Sequence, residues 1–268
     1  MPYTNKGFTL GILIALAVPA MAVTTVTCAN ATIAAPGVYQ LKSNLACTVS
    51  ITSSGVALKL NGWTITPASG DGIDINFPIV GRLNHVTVQG PGLISGLNGN
   101  VIGINIQNTD YSLIEQVTIL GQPLDNAITA RTDTFLTATS NVTSGGLNGI
   151  GSYFCASCVF SSNDTSGNAS NGIFITLGSN NTVNNNRANG NAFSGINIFT
   201  ENGARIYGNI TNGNAQDGIL VIGPGVQVFS NISSQANGTN DMFDSSSTCI
   251  GDYWSNNVFQ TANQTCIH

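Results

Sequence analysis

The amino-acid sequence predicts an all-β solenoid of parallel strands with about 22–24 residues in each coil. Three observations support this prediction: a Gly-Ile phrase that recurs at nearly fixed spacing, an Asn that keeps step with it, and strand-like alternation around both. The small residue that opens the phrase is Gly72, Gly103, Ala127, Gly149, Gly172, Gly195 and Gly218, so successive steps are 31, 24, 22, 23, 23 and 23 residues. A period of this size is typical of solenoids, in which each repeat buries its apolar edge against its neighbours.

The Asn marker predicts how the coils stack. Asn141, Asn163, Asn186 and Asn209 lie fourteen residues after the small residue, and Asn231 lies thirteen after Gly218. Strands of neighbouring coils are about 4.8 Å apart, so each amide can donate to the next one, as in a stacked Asn ladder. We therefore expect these side chains to form one inward row.

Alternation around the phrase predicts the strands themselves. Ile173 and Ile175 are separated by one residue, which places both on one face of a strand. Eleven residues after the small residue, Phe160, Val183 and Ile206 mark a second short strand. Leucine-rich repeats are excluded because residues 149–244 contain only two Leu, and no six-residue aliphatic phasing supports a hexapeptide helix. A single-stranded right-handed parallel β-helix remains.

Several segments resemble a known family. They are residues 36–41 (PGVYQL), 56–65 (VALKLNGWTI), 86–90 (VTVQG), 92–96 (GLISG) and the ending from Cys249 to Ile267. With the repeats, they resemble the pectate-lyase-like right-handed β-helix superfamily over nearly the whole chain after the leader. This resemblance implies the fold, but its members include lyases, hydrolases, epimerases and adhesins, so it does not select one function.

The expected organisation has four parts. Residues 1–22 resemble a secretory signal peptide, with Lys6, an apolar stretch and Ala-Met-Ala before the cleavage point. Residues 6–10 also resemble a prepilin processing site, an alternative that likewise takes the protein out of the cytoplasm. An N-terminal cap with the first coil is expected over 23–55, the β-helix over 56–244 and a C-terminal disulfide cap over 245–268. The expected location is periplasmic or extracellular.

Composition limits the partners. Only 7% of residues are charged, with seven Lys and Arg against twelve Asp and Glu and a net charge of −5. The basic residues form no patch for nucleic acid, and no segment after the leader is long and apolar enough to span a membrane. We expect a monomer whose partner is a polysaccharide or cell-surface glycan.

Six cysteines in an exported chain predict disulfides. Cys28 with Cys47 and Cys249 with Cys266 would pin the two ends of the solenoid, where apolar edges are exposed. Cys155 and Cys158 have the spacing of a redox or metal pair, but no βα unit or further ligands accompany them. We therefore expect a structural disulfide that closes one bend.

A catalytic set is also expected on the Gly-Ile strands. The resemblance to polygalacturonases extends only to Asn108-Thr109-Asp110, since their other motifs are absent, and so are the usual motifs of pectate lyases, pectin methylesterases and alginate epimerases. Asp110 and Asp133 lie on successive coils, so we expect them to converge with Arg131 on the face of the Gly-Ile strand. Arg131 would then bind a uronate carboxylate while a carboxyl group or Tyr153 acts as acid or base. The simpler alternative is a surface pair between Arg131 and Asp133.

The outward face of the Gly-Ile strand is the predicted binding surface, because residues two and four after the small residue point outward. Aromatic rings suit the apolar faces of sugars and amides suit their hydroxyls, which favours a glycan partner. The alternative function is a non-catalytic scaffold or adhesin. Ca²⁺ is kept as a candidate cofactor, with no residue assigned as a metal ligand. The predicted substrate-binding residues are Tyr153, Phe174, Asn197 and Phe199.

Overall fold

In this computed structural model, residues 22–76, 81–96, 101–121 and 125–268 are described. They contain two short 3-10 helices, Cys28–Asn30 and Ser247–Cys249, and a series of short strands. The strands are β1 (Val23–Thr25), β2 (Thr32–Ile33), β3 (Gly37–Gln40), β4 (Val49–Ile51), β5 (Val56–Lys59), β6 (Thr64–Ile65), β7 (Ile73–Ile75), β8 (Leu83–Asn84), β9 (Thr87–Ile94), β10 (Ile104–Gln107), β11 (Thr109–Asp110), β12 (Leu113–Leu120), β13 (Ile128–Arg131), β14 (Thr137–Thr139), β15 (Val142–Ser144), β16 (Ile150–Tyr153), β17 (Val159–Ser161), β18 (Ile173–Thr176), β19 (Thr182–Asn184), β20 (Ile196–Phe199), β21 (Arg205–Tyr207), β22 (Ile219–Ile222), β23 (Gln227–Phe229), β24 (Ile232–Ser233), β25 (Met242–Asp244), β26 (Tyr253–Ser255) and β27 (Val258–Phe259).

Two long parallel sheets confirm the predicted solenoid. The ten-stranded sheet, here called the Gly-Ile sheet, has the order β2-β4-β7-β10-β13-β16-β18-β20-β22-β25. The thirteen-stranded second sheet has the path β1-β3-β5-β9-β12-β14-β17-β19-β21-β23-β26, with β6 and β15 beside it. Each coil contributes one strand to each sheet. Residues three positions past these strands form two further lines of bridges, one after the Gly-Ile strands from Asp110 to Asn202 and one after the second-sheet strands from Val142 to Ile232.

The core is the stack of inward-pointing side chains. Ile173 and Ile175 of β18 are fully buried, as are the central residues Phe160, Val183 and Ile206 of the second-sheet strands. Burial of each such aliphatic side chain stabilises the fold by roughly 1.5–3 kcal/mol. Because each coil is too small to enclose its own core, that burial exists only between neighbouring coils.

The Asn ladder is present where the sequence predicts it. The Nδ2 of Asn186 donates to the Oδ1 of Asn209 at 3.0 Å and to the carbonyl of Phe160 at 2.8 Å. The same pattern runs from Asn141 to Asn231 and extends one coil further, because Asn231 donates to Asn257 at 3.0 Å. The residue before each ladder Asn has a left-handed backbone, which turns the chain sharply at this corner.

A second Asn ladder was not foreseen. Its amide-to-amide hydrogen bonds are 3.0–3.2 Å long and keep a 23-residue period. Its members are Asn168, Asn191, Asn214 and Asn237. This ladder lies on the loops that lead into the Gly-Ile sheet, so it fixes the height at which each Gly-Ile strand begins.

All three expected disulfides are present. Cys28 pairs with Cys47 and Cys249 with Cys266, with Cα atoms 5.8 and 6.1 Å apart. Cys155 pairs with Cys158 in the bend that follows β16, and both residues are fully buried. The described cysteines are thus all oxidised.

The N-terminal leader is not among the residues that the structure describes. The predicted signal peptide and the alternative prepilin site fall on residues 1–21, which are not among the described residues. Within the described ranges, no helix has the length and hydropathy needed to cross a membrane.

Candidate functional site

The outward face of the Gly-Ile sheet holds most of the predicted site residues. Strand pairing places Arg131, Tyr153, Thr176 and Phe199 in one row across four coils. The adjacent outward row contains Gly151, Phe174 and Asn197. Arg131 and Phe199 are exposed in the first of these rows, and the described residues enclose no pocket.

Arg131, Tyr153 and Phe174 form one cluster on this face. The guanidinium carbon of Arg131 lies 5.0 Å from the centre of the Tyr153 ring, within the range of a cation–π contact. The Phe174 ring meets Tyr153 edge to face, with ring centres 5.9 Å apart. Three successive coils therefore contribute one side chain each.

The absence of a side chain at Gly151 allows Tyr153 to lie across the sheet. A Cβ at Gly151 would be 3.1 Å from the ring of Tyr153. On the far side, the hydroxyl of Tyr153 lies 3.4 Å from Nδ2 of Asn126, which also donates to Thr129. The ring is therefore half-buried and held at both ends, which reduces the entropy it would lose on contacting a ligand.

Asn197 and Phe199 lie one coil further along but outside this cluster. Phe199 is 41% exposed and makes no ring contact with Tyr153 or Phe174. Asn197 is only 7% exposed, and its Nδ2 lies 3.4 Å from Oδ1 of Asn171. Its own Oδ1 has no partner among the described residues. The structure joins Tyr153 with Phe174, while Phe199 stands apart and Asn197 is largely covered.

Asp110 is engaged by a residue that sequence reasoning missed. Its carboxylate forms an ion pair with Arg82 at 2.8 Å, and Arg82 also donates to the carbonyl of Thr109 and the hydroxyl of Thr134. The hydrogen bond from Arg82 holds the pKa of Asp110 below its usual value. No repeat position marks Arg82, because it lies in the long 31-residue step.

Asp133 lies inside the bend, which corrects the expected convergence. It is 1% exposed, and its Oδ1 accepts hydrogen bonds from the backbone N–H and hydroxyl of Thr109 at 2.8 and 3.0 Å. Burial raises its pKa to about 7. Asp110 pairs with Thr134, not Asp133, so the two carboxylates point to opposite sides of the backbone.

The alternative surface pair is not formed either. Arg131 lies over Tyr153 and makes no ion pair with Asp133, whose carboxylate is enclosed. Asp110, Arg131 and Asp133 therefore do not meet at one point, and their catalytic roles stay a prediction without a shared site.

A second buried acid, Glu201, occupies the position of Asp133 three coils later. It is 2% exposed, and its Oε1 accepts a 2.8 Å hydrogen bond from Nδ2 of Asn181. Burial raises its pKa to about 7. Both residues lie six positions after the small residue of their coil, a regularity that the sequence does contain.

Acidic residues near the start of the sheet give no metal centre. Burial and the neighbouring Asp71 raise the pKa of Asp74, and Nδ2 of Asn105 donates to Asp74 at 3.1 Å. Among the described residues, no group of three or more His, Cys, Asp or Glu side chains is arranged to hold a metal ion. No ligand set for Ca²⁺ can be named from these side chains.

Comparison with known proteins places the chain in a family. The description "Right handed beta helix region" matches residues 102–264, more than half of the chain, so the protein belongs to the right-handed β-helix family. No curated protein is similar to it in sequence.

Solved structures with the same architecture include DFA-IIIase from Arthrobacter chlorophenolicus A6. A mutant in complex with DFA-III superposes with a TM-score of 0.69 at 12% identity, covering 84% of this chain and 66% of that chain. The complex with GF2 gives 0.65 at 14% identity, with 89% and 66% covered. The form without its lid gives 0.67 at 14% identity, with 84% and 70% covered. This chain therefore spans about two thirds of their length, and at these identities the likeness establishes the fold alone.

Proposed function

We propose that this protein is exported and binds a polysaccharide on the outward face of the Gly-Ile sheet. The observation that supports this most directly is the contact of Arg131, Tyr153 and Phe174 on three successive coils. Aromatic rings present apolar faces to the C–H groups of sugars, while polar groups at their rims fix orientation. Phe199, which is 41% exposed, would extend the contact by one coil, with the largely covered Asn197 beside it.

The fold is consistent with a sugar ligand, because proteins of the same architecture bind sugars. DFA-IIIase, which shares this architecture, was crystallised with the sugars DFA-III and GF2. A solenoid face is also suited to a polymer, because it repeats the same geometry every 4.8 Å or so along its axis.

Arg131 gives the face a preference for acidic sugars. The chain has seven basic residues and a net charge of −5, so attraction of an anion must come from a local group. Arg131 is exposed and is held by the Tyr153 ring, leaving its guanidinium edge available for a carboxylate. A uronic-acid polysaccharide is the ligand class that best fits this combination.

Binding without catalysis is the stronger form of the proposal. General acid–base hydrolysis of a glycosidic bond needs two carboxyl groups facing one substrate. Asp110 is paired with Arg82, and Asp133 is enclosed in the bend. This separation favours an adhesin or scaffold role over a hydrolase role.

Affinity electrophoresis of the full chain in gels containing dissolved polygalacturonate or neutral β-glucan tests the proposal. We expect polygalacturonate to retard the protein more strongly. Tyr153→Ala should lower the affinity about tenfold, because it removes both the stacking surface and the support for Arg131. Arg131→Gln should reduce retardation by polygalacturonate but not by a neutral chain.

The second sheet supplies a matched control. There Arg205 lies 5.9 Å from the ring centre of Tyr207, which stacks on Phe229 at 5.0 Å. Tyr207→Ala removes the same chemistry from the other face, so it should leave retardation unchanged. Equal retardation of wild type, Tyr153→Ala, Phe174→Ala and Phe199→Ala would remove the proposed face.

A further inference from the structure

The bend between the Gly-Ile sheet and the second sheet contains two rows of residues with left-handed backbone. Their φ angles lie between 50° and 75°. Strand bridges put equivalent positions of successive coils side by side. The first row is Asn108, Thr132, Phe154, Leu177 and Thr200, and the second is His85, Tyr111, Phe135, Ser157, Asn180 and Gly203.

Several residues in these rows are the wrong type for the backbone alone. Gly and Asn adopt a positive φ at least cost, and Asn108, Asn180 and Gly203 follow that rule. Four other positions carry large apolar side chains, and each of these is 46–56% exposed. They are Tyr111, Phe135, Phe154 and Leu177. Neither the turn nor the core requires them, which indicates a role outside the chain.

The second row begins as a stack of rings and then stops. His85 and Tyr111 have ring centres 5.6 Å apart, and Tyr111 and Phe135 are 4.8 Å apart at 9° between planes. The next two positions in the row are Ser157 and Asn180. Among the described residues, Phe135 has a ring partner on the Tyr111 side only.

The residues that follow Phe135 in the second row, Ser157, Asn180 and Gly203, are small or polar. The side-chain amide of Asn180 makes no hydrogen bond to a described residue, and a Cβ at Gly203 would lie 2.6 Å from its Oδ1. Glycine at 203 therefore leaves room for that amide. Phe154, in the first row, lies on the same coil as Ser157. The unstacked face of Phe135 is thus followed along its row by a hydroxyl and a free amide, and Phe154 lies in the neighbouring row of the same bend.

We propose that Phe135 and Phe154, with Ser157 and Asn180, form a second carbohydrate-contact site that takes an uncharged sugar ring. The sugar would continue the ring stack from Phe135, with its hydroxyls facing Ser157 and Asn180. No charged side chain lies in either row, and the nearby Arg82 is already paired with Asp110. The site therefore selects for ring shape and hydroxyls, in contrast to the Arg131 face.

This inference rests on the proposed function in one respect, since the same polysaccharide is expected to reach both surfaces. Phe154 follows Tyr153 directly in the chain, so the two sites meet at the edge of the Gly-Ile sheet. A polymer with both acidic and neutral residues could contact the Arg131 cluster and pass over the bend. The outcomes below separate the two sites.

The test uses affinity electrophoresis of the full chain in gels that contain inulin, xylan or β-glucan as neutral probes. At least one of these should retard the wild type. Phe135→Leu and Phe154→Leu keep an apolar residue, of the type found at Leu177 with the same backbone, and should weaken retardation about tenfold. Phe229→Leu, in the stacked pair on the second sheet, is the matched control and should not change it.

Ser157→Phe gives the sharper result. A ring at 157 would extend the existing stack and fill the space reserved for the sugar. We expect this variant to fold and to lose retardation by the neutral probe, although it adds an exposed aromatic residue. Stronger retardation of Ser157→Phe would overturn the site, because it would show that exposed aromatic residues in the bend bind the polysaccharide nonspecifically.

The remaining outcomes distinguish the two proposals. Retardation that is lost in Tyr153→Ala but kept in Phe135→Leu and Phe154→Leu overturns this second site and leaves the Arg131 face standing. Retardation by a neutral probe that is lost only in the two Leu variants supports the second site, while retardation of Tyr153→Ala by polygalacturonate decides the first. A wild-type protein that none of the neutral probes retards overturns the second site, while retardation by polygalacturonate then decides the first.

Discussion

Asp133 shows how one buried acid makes stability depend on pH. Its Oδ1 accepts two hydrogen bonds from Thr109, while its Oδ2 has no partner among the described residues. An ionised carboxylate in that environment is poorly solvated, and burial raises its pKa to about 7. In the unfolded chain the pKa of an Asp is about 4.

The folded state therefore binds a proton more readily than the unfolded state between about pH 4 and pH 7. The stability that protonated Asp133 contributes is fully present below about pH 4 and is lost as pH rises through about 7. In this window one such group gives a slope of about −1.4 kcal/mol per pH unit in the free energy of unfolding.

Replacement of Asp133 by Asn should remove this contribution. The Oδ1 of an Asn can still accept from Thr109, and no charge is buried. Urea unfolding should show a free energy of unfolding that is roughly 1–3 kcal/mol higher than wild type at pH 8, with a shallower pH dependence. Thr109→Val, which removes one donor to the carboxylate, should shift stability in the opposite direction at pH 8. Identical pH slopes in wild type and Asp133→Asn would contradict the assignment.

The same residue shows where sequence reasoning fails. Asp110 is seven residues after Gly103, and Asp133 is six after Ala127. A difference of one residue changes the face of a strand to which a side chain points. Strand pairing keeps one register from Ile104–Ile128 to Asp110–Thr134, so this one-residue difference alone separates the two carboxylates, and the expected convergence was wrong. The sequence contains the one-residue offset but does not show that the register continues unbroken through the bend.

At the scale of elements, the Asn ladder determines how one coil is placed on the next. Each ladder amide donates both to the next amide and to a strand carbonyl, and its oxygen accepts from the backbone of the previous coil. The backbone N–H and C=O groups at this buried corner cannot reach water, so the ladder amides serve as their hydrogen-bond partners. The ladder is thus part of the hydrogen bonding of the fold, and a change in it acts on two coils.

Replacement of Asn186 by Ala tests this element. It leaves the backbone N–H of Asn163 and the carbonyl of Phe160 without their partners in a buried corner. The free energy of unfolding should fall by about 3 kcal/mol, at the upper end of the usual 1–3 kcal/mol for such groups. Urea unfolding at one pH measures the loss.

The last member of the ladder provides the control. Asn257 is half-buried at the C-terminal end, where water can replace the lost hydrogen bonds. Asn257→Ala should cost less than half as much as Asn186→Ala. Equal losses would show that solvent access does not determine the contribution of a ladder position.

Elements were the scale at which the sequence was most informative. Five Asn residues in phase predicted the first ladder, and Phe160, Val183 and Ile206 predicted the second sheet. The second ladder from Asn168 to Asn237 has the same 23-residue period and was readable in principle. Tyr111 and Phe135 also share an offset, since each lies eight residues after the small residue of its coil. Their left-handed backbone could not be predicted, because large apolar residues rarely adopt that conformation.

At the scale of the whole molecule, stability should be distributed along the axis and not concentrated in one centre. Coils contact only their neighbours, so an end coil lacks half of the contacts of a central one. The C-terminal cap compensates with the Cys249–Cys266 bond and with a 2.8 Å hydrogen bond from the indole of Trp254 to buried Asp244. Periodicity therefore predicted the solenoid itself, while the contacts that close its ends depend on side chains outside the repeat.

Removal of the C-terminal disulfide should loosen the end of the solenoid before its middle. The bond joins residues 17 apart, for which the loop-entropy model gives a stabilisation of roughly 3 kcal/mol. In Cys249→Ala/Cys266→Ala, amide hydrogen exchange should accelerate in β25 and β26, because local opening of the last coils no longer has to overcome the crosslink. Exchange in β13 and β16 should be unchanged.

The central disulfide separates crosslinking from packing. Cys155 and Cys158 are only 3 residues apart, so their bond restricts the unfolded chain far less, yet both sulfurs are fully buried in the bend. Cys155→Ala/Cys158→Ala should therefore destabilise mainly through lost packing, with faster exchange confined to β16 and its neighbouring strands. Faster exchange along the whole chain in the C-terminal variant would contradict this description, since it would mean that the coils unfold as one cooperative unit and that the caps do not protect the ends separately.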